Sequence, residues 1–165
     1  MTAALHRSRF DSPIGALHLV ASDGGLRRIS WPHEVHTEHD GLGADEAHPV
    51  LVDAARQLAE YFAGDRREFD LPLDLQGTDF QREAWLALAD VPYGTTVSYG
   101  EQAERIGRPG ASRAVGAANA KNPIPIVLPC HRVVGADGSL TGFAGGLDLK
   151  RKLLAHERSQ QSLDI

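Results

Sequence analysis

Helix-start signals in the second half of the chain constrain its fold more than any other feature. Thr78-Asp-Phe-Gln81 and Ser98-Tyr-Gly-Glu101 are capping-box patterns, in which two side chains and two backbone N–H groups satisfy each other at a helix start. The second helix runs into a glycine-containing turn at 107–110, and a third helix is predicted over about 111–120. Two short helices joined by such a turn indicate a helix-turn-helix.

The first half of the chain predicts a three-stranded antiparallel meander. Its strand-like segments at 7–10, 16–21 and 26–31 are separated by the turns Asp11-Ser-Pro-Ile-Gly15 and Asp23-Gly-Gly25. A polar loop at 33–48 follows. Turn residues at this spacing are typical of strands that pair with their neighbours in the chain.

A helix and a connector complete this half. Apolar side chains recur at helical spacing over about 49–63, with a proline in the first turn and a glycine just after the end. Pro72 lies in the alternating segment 70–75, which favours an edge strand or a connector there. A boundary near Gln76-Gly77 then gives a small α/β domain over residues 1–76 and a helical domain over residues 77–165.

The end of the chain carries the remaining elements. The apolar run at 124–128 predicts a strand that leads into Pro129-Cys130-His131-Arg132. A glycine-rich loop at 142–146 precedes a terminal helix over about 148–158.

Charge is segregated between the two halves. The net charge of the chain is −5. Residues 1–75 hold 7 basic and 13 acidic side chains, whereas residues 76–158 hold 10 basic and 8 acidic side chains. We therefore expect a polyanion such as DNA to meet the second half.

Cysteine usage indicates a reducing compartment, and hydropathy indicates no membrane-spanning segment. Cys130 is the only cysteine, so no internal disulfide forms and the cysteine pairs of a structural zinc site are missing. The chain has no run of 18 apolar residues, which is the length needed to span a bilayer. Its N-terminus lacks the pattern of a signal peptide.

Cys130 is the strongest candidate for chemistry. A lone cysteine is most often a buried packing residue. Here, however, His131 and Arg132 follow it directly, and neighbouring cationic or proton-accepting groups lower a thiol pKa and populate the thiolate. Glu157, late in the terminal helix, is a candidate to orient His131, although the residues alone do not pair the two.

The third helix has an unusual composition for a base-reading helix. Over residues 111–120 it consists mainly of alanine and glycine, and Arg113 is its only long polar side chain. Such a helix either packs tightly or lies against a minor groove, with Arg113 entering the base stack when a base is extruded.

His33, His36 and His39 form a regularly spaced run, but the segment is rich in glycine and acidic residues. A solvated loop is the expected structure, and we predict no metal site.

Four motifs together resemble the O6-alkylguanine-DNA alkyltransferase family. The most specific is Asn122-Pro-Ile-Pro-Ile-Val-Leu-Pro-Cys-His-Arg-Val-Val134, which contains Pro-Cys-His-Arg. Ser98-Tyr-Gly-Glu101, Arg113-Ala-Val-Gly116 and Leu153-Leu-Ala-His-Glu157 occur in the same order as in the family. The resemblance covers most of the chain and is strongest from Thr78 to Glu157.

The resemblance implies direct-reversal DNA repair. Cys130 would accept an alkyl group from the 6-oxygen of guanine, and also from the 4-oxygen of thymine, in a single irreversible turnover without a cofactor. His131 would draw the thiol proton through a water, and Glu157 would hold His131 in place. Tyr99 would donate to the flipped guanine, and Asn122 would support the active-site turn.

The resemblance also implies a fold, a partner and a set of binding residues. The fold is a ribonuclease-H-like α/β domain followed by a winged helix-turn-helix. The partner is double-stranded DNA, bound in the minor groove. The protein is expected to be of the prokaryotic type, cytoplasmic and associated with the nucleoid. We expect a monomer, and whether monomers bind cooperatively along DNA stays open. The DNA-binding and base-flipping residues would be Ser98, Tyr99, Arg113, Ala114 and Gly116, and the guanine pocket would be lined by Pro125, Val134, Phe143, Ala144 and Gly145.

Two departures from the family pattern matter. Phe143 and Ala144 stand where many relatives carry tyrosine and serine, which removes two hydroxyl groups from the pocket loop. The cysteines of the zinc site found in some members are also absent.

Three alternatives stay open from the residues alone. A non-catalytic alkyltransferase-like protein would lack the acceptor cysteine, whereas Cys130 is present. A winged-helix regulator is disfavoured by the third helix, which has few side chains able to contact bases. A Cys-His hydrolase is disfavoured because Cys130 and His131 are adjacent and no oxyanion arrangement is evident.

Overall fold

The computed structural model describes residues 4–34, 47–140, 143 and 145–162. The chain is a mixture of helices and strands that divides into two compact units, residues 1–76 and residues 77–165. Across the described ranges, none of the helices combines the length and apolar character needed to cross a membrane.

The first unit contains the meander and its helix. Strands β1 (Leu5–Ser12), β2 (Gly15–Ser22) and β3 (Gly25–Ser30) form an antiparallel sheet in that order, and helix α1 spans Pro49–Phe62. All three predicted strands form, with bounds that differ by a few residues. The helix ends as predicted, because Gly64 adopts a left-handed φ of 84° that a side chain would disfavour.

The core of this unit lies between the sheet and α1. Leu17 and Leu19 on β2 and Leu58 on α1 are fully buried, and each such leucine contributes about 1.5–3 kcal/mol of burial free energy. The buried Gln57 side chain exchanges two hydrogen bonds with the backbone of Asp70, each 2.9 Å long. The segment after Asp70 forms only an isolated bridge between Leu73 and Leu26, so it is a connector.

The second unit is mainly helical. Both predicted capping boxes form at the starts of helices α2 (Asp79–Leu88) and α3 (Tyr99–Arg105), so the residue types at these positions determine where the helices begin. Two short strands, β4 (Val97–Ser98) and β5 (Val133–Val134), pair in parallel. In chain order the elements are α2 (Asp79–Leu88), β4 (Val97–Ser98), α3 (Tyr99–Arg105), α4 (Ser112–Ala120), β5 (Val133–Val134) and α5 (Leu147–Ser162).

A buried polar network holds α2, α3 and α4 together. Gln102 on α3 and Asn119 on α4 exchange two side-chain hydrogen bonds of 3.1 and 2.8 Å. Gln102 also donates to the carbonyl of Ala84, and the Trp85 indole donates to the carbonyl of Ala118 over 2.7 Å. Because these groups are buried, leaving any one of them unpaired would cost about 1–3 kcal/mol, so the network fixes the position of α4.

The predicted strand at 124–128 is wrong. Residues 124–128 form turns with a single bridge between Pro125 and Leu128, and Ile126 has a left-handed φ of 73°. Three prolines at 123, 125 and 129 remove the backbone donors that a ladder needs. Buried apolar turns and buried strands have the same composition, so the apolar run alone could not separate them.

Candidate active site

Cys130 lies in a short 3₁₀ turn, Cys130–Arg132, directly after the turns at 124–128. The thiol is buried, with a residue exposure of 7%. Asn122 holds the approach to this turn, because its Nδ2 donates to the carbonyl of Leu128 over 2.8 Å and its Oδ1 accepts from the N–H of Ile124 over 3.0 Å. Asn122 also hydrogen-bonds to the Cys130 side chain.

His131, the residue after the cysteine, forms a buried pair with Glu157. The His131 Nε2 and Glu157 Oε2 atoms are 2.6 Å apart, and both side chains are fully buried. Arg132 donates from Nε and Nη2 to the two oxygens of the same carboxylate, over 2.9 and 3.1 Å. The backbone N–H of Gly94 donates to Glu157 Oε1 over 3.2 Å. The carboxylate is thus satisfied on both oxygens.

These contacts decide the protonation of the pair. Burial alone would raise the pKa of Glu157, but its hydrogen bonds and charge interactions with His131 and Arg132 outweigh burial and lower it strongly, so the carboxylate is ionised. Burial lowers the pKa of His131 despite the attraction of Glu157. A neutral imidazole that donates from Nε2 to Glu157 keeps its Nδ1 lone pair as an acceptor. That Nδ1 is buried and has no hydrogen-bond partner among the described residues.

The expected lowering of the Cys130 pKa is wrong. Burial raises the pKa of this thiol to about 11, although the hydrogen bond from Asn122 and the charge of Lys150 act in the opposite direction. His131 and Arg132, which are next to the cysteine in sequence, do not lower it. Arg132 directs its guanidinium to Glu157 and to the carbonyl of Val91, and His131 is neutral. The resting side chain is therefore a thiol.

Lys150 is a site residue that the sequence did not reveal. It lies on α5 and is buried, with an exposure of 1%. Its Nζ lies 6.0 Å from the centre of the Tyr99 ring and 5.7 Å from the centre of the Phe143 ring. The same ammonium group interacts with Cys130, and burial lowers its own pKa. Lys150 therefore links three residues that the sequence assigned to the site.

The start of α3 lies beside the site. Ser98 caps this helix and pairs in register with Val134, so the first residue of α3, Tyr99, follows directly after the paired strands. Tyr99 is half-buried, and its ring lies beside the α-carbon of Gly116 on α4, where an added Cβ would be 3.7 Å from the ring. The structure thus brings Ser98, Tyr99, Gly116 and Val134 together.

The exposed face of α4 carries small side chains and one arginine. Val115, Ala118 and Asn119 are buried, whereas Arg113 and Ala114 are exposed. Within the described residues, Arg113 has no hydrogen bond or ion pair to hold it. Its side chain lies exposed near the start of α4.

The remaining predicted pocket residues are only partly described. Pro125 and Gly145 are buried and Phe143 is half-buried. Ala144 and Gly142 lie outside the described residues, as do His36 and His39, so the predictions for them stay predictions.

Comparison with known proteins identifies the chain. A family model for the DNA-binding domain of 6-O-methylguanine DNA methyltransferase matches residues 79–159, and one for the ribonuclease-like domain of the same protein matches residues 5–75. The chain belongs to the 6-O-methylguanine DNA methyltransferase family. A methylated-DNA–protein-cysteine methyltransferase of Mycolicibacterium paratuberculosis is 53% identical over 148 residues, which cover 90% of this chain and 89% of the relative. One from Mycobacterium bovis is 48% identical, covering 98% and 97%.

Solved structures of the 6-O-methylguanine DNA methyltransferase family agree with this assignment. The crystal structure of Mycobacterium tuberculosis O6-methylguanine methyltransferase superposes with a TM-score of 0.87 at 45% identity, covering 98% of this chain and 100% of that one. A structure of Mycobacterium tuberculosis OGT in complex with DNA superposes with a TM-score of 0.85 at 49% identity, covering 94% of both chains. The α/β fold and the two-domain organisation are therefore those of the family.

Proposed function

We propose that this protein repairs DNA by transferring the alkyl group of O6-alkylguanine to the sulfur of Cys130, once per protein molecule. The observation that carries the proposal is the buried pair of Glu157 and His131, the residue directly after Cys130, in which His131 Nδ1 has no hydrogen-bond partner within the part of the chain that the structure describes. A thiol whose pKa is raised to about 11 needs a base in the transition state. Membership of a family whose named members are methylated-DNA–protein-cysteine methyltransferases supplies the substrate class.

The transfer is a displacement at carbon. The Cys130 proton passes through a water to His131 Nδ1, and the resulting imidazolium is stabilised by the ionised Glu157. The Cys130 sulfur attacks the methyl carbon and forms a thioether, while the bond from carbon to the guanine 6-oxygen breaks and its electron pair stays on the base. Tyr99 donates a proton to guanine, so that a neutral base leaves. The thioether has no good leaving group, which makes the reaction irreversible.

Lys150 adds a charge to this step. As sulfur becomes negative, the ammonium group in the same buried environment stabilises it more than water would, because the local dielectric constant is low. The rings of Tyr99 and Phe143 beside the ammonium keep it in place by cation–π attraction.

We further propose that α4 binds the minor groove and that Arg113 fills the space left by a flipped guanine. The exposed face of α4 has alanines, which allow close approach to a backbone, and Arg113 is exposed and unpaired within the described residues. Flipping costs a few kcal/mol of lost stacking and pairing, which an inserted guanidinium would offset. Thymine alkylated on its 4-oxygen is a second proposed substrate, because this oxygen can leave in the same way.

The two units take the family's domain assignments in this proposal. Residues 1–76 would be the ribonuclease-H-like domain, and residues 77–165 would be the winged helix-turn-helix domain that carries Cys130. The protein would act as a monomer on DNA in a prokaryotic cytoplasm, associated with the nucleoid, where the single cysteine stays reduced.

Transfer of labelled methyl tests the proposal. Incubation with a duplex that carries one tritiated O6-methylguanine should place one equivalent of label on the protein and restore guanine. Cys130→Ser should take up no label but should still bind the duplex. Binding by the wild-type protein without any label on it would instead identify a non-catalytic lesion-binding protein, and catalytic release of methanol would identify a hydrolase.

A further inference from the structure

Two histidines and an aspartate meet in the first unit, outside the site described above. His6 lies on β1, Asp23 lies in the turn between β2 and β3, and His48 immediately precedes α1. The potential ligand atoms of the three side chains all lie within 4.8 Å of one another. Three separate segments of the chain thus converge on one point.

Two of the distances in this group match the separation of neighbouring ligands around one small cation, and the third is at most 4.8 Å. The Nε2 atoms of His6 and His48 lie 3.3 and 3.4 Å from the same oxygen, Asp23 Oδ1. Ligands about 2.0–2.1 Å from a tetrahedral zinc ion are separated by about 3.3 Å. The two imidazole rings stack with their centres 4.1 Å apart, and both direct Nε2 to Asp23.

Hydrogen bonding alone accounts poorly for the arrangement. The two contacts to Asp23, 3.3 and 3.4 Å long, are longer than the usual N–H···O hydrogen bond of about 2.7–3.2 Å. In addition, His48 Nδ1 is buried and has no hydrogen-bond partner among the described residues. If Nε2 carries the proton, this buried Nδ1 lone pair is unsatisfied. If Nδ1 carries it, the Nε2 lone pair faces a carboxylate oxygen, which is favourable only with a cation between them.

We propose that His6, Asp23 and His48 bind one divalent transition-metal ion of the zinc class. Two imidazoles and one carboxylate form a set of ligands that favours such ions over calcium or magnesium. Asp23 is 80% exposed while His6 and His48 are 24% and 12% exposed, so the site opens to solvent on one side and water completes the coordination.

The ion would join the edge of the sheet to the start of α1. His48 is the residue before the first helical turn and has no side-chain cap hydrogen bond of its own. Metal binding would therefore fix this helix start against β1 and the turn between β2 and β3. The sequence predicts no metal site. His6, Asp23 and His48 are separated by 17 and 25 residues and form no motif that would reveal this group. None of the three residues belongs to the alkyl-transfer site, so the ion would stabilise the protein without taking part in the proposed chemistry.

Metal titration of the full chain tests this inference. Chelator-treated wild-type protein should bind one Zn²⁺ per chain in calorimetry, and Co²⁺ in its place should give the visible absorption of a tetrahedral centre. Zinc at about 100 times its dissociation constant should raise Tm by about 5 °C or more. Asp23→Asn keeps an oxygen that accepts from both imidazoles but loses the charge, so it should bind zinc at least tenfold more weakly while its zinc-free Tm stays near that of the wild type.

The controls separate this site from other histidines and from the alkyl-transfer proposal. His33→Ala removes an exposed histidine of the same unit and should leave zinc affinity unchanged, whereas His48→Gln should abolish the Tm rise. Methyl transfer by metal-free protein below its Tm should equal that of the zinc-loaded protein. Absence of saturable zinc binding in the micromolar range would overturn the inference, as would equal zinc affinity in wild type, Asp23→Asn and His48→Gln.

Discussion

Replacing His131 with glutamine tests how the buried thiol is activated. The glutamine Nε2 can still donate to Glu157, as His131 Nε2 does over 2.6 Å, but the acceptor at Nδ1 is lost. Without that base, reaction depends on the free thiolate. Because the pKa of Cys130 is raised to about 11, roughly one protein molecule in a thousand carries the thiolate at pH 8.

The expected loss follows from that fraction. At pH 8, methyl transfer by His131→Gln should be slower than wild type by about 100-fold to 10,000-fold, the range for removal of a general base. The rate of the variant should then rise about tenfold for each pH unit towards about 11. The wild-type rate should change little over the same range, because its base is already neutral.

Single-turnover kinetics with an O6-methylguanine duplex, measured from pH 7 to the highest pH at which both proteins stay folded, provides the assay. Thermal unfolding of each protein at each pH confirms that the comparison is between folded states, and His33→Gln serves as a control for loss of a histidine elsewhere. A variant as fast as wild type at pH 8, or a slow variant whose rate is independent of pH, would refute base catalysis by His131.

Three further predictions follow from the same site. Lys150→Met should raise the pKa of Cys130 further and slow its alkylation by iodoacetamide about tenfold at pH 8, and an unchanged pH profile would show that the lysine does not act on the thiol. Arg113→Ala should slow repair of a duplex by about tenfold or more but leave reaction with free O6-benzylguanine unchanged, and equal losses on both substrates would exclude a role in flipping. The unfolding free energy should fall as pH drops below about 6.5, by up to about 1.4 kcal/mol per pH unit, because the lowered pKa of His131 means that only the unfolded chain takes up the proton. Chemical denaturation at pH 7 and pH 5.5 measures this, and the fall should be absent in His131→Gln.

The elements that were predictable from the sequence are those specified by local chemistry. The starts of α2 and α3 follow from Thr78 and Ser98 with their partners three residues later, since a capping box involves only neighbouring residues. The end of α1 follows from Gly64 for the same reason. The contact between His131 and Glu157 was expected only through family resemblance, because the two residues lie 26 positions apart.

The features that were missed depend on the environment of a side chain. Lys150 stands beside Arg151 and Lys152 in a helix, and nothing local distinguishes the buried lysine from its neighbours. The pKa of Cys130 was assigned the wrong direction because adjacency in sequence does not give proximity of charge, and the Arg132 guanidinium pairs with Glu157. Burial and the direction of a side chain are properties of the folded chain.

Intact mass spectrometry after reaction with a duplex containing O6-methylguanine tests the central claim most directly. We predict that the whole protein population gains the mass of one methyl group when the duplex is in excess, and that peptide mapping locates this group on Cys130. A protein that restores guanine while its own mass is unchanged, or that carries the methyl group on another residue, would contradict the account.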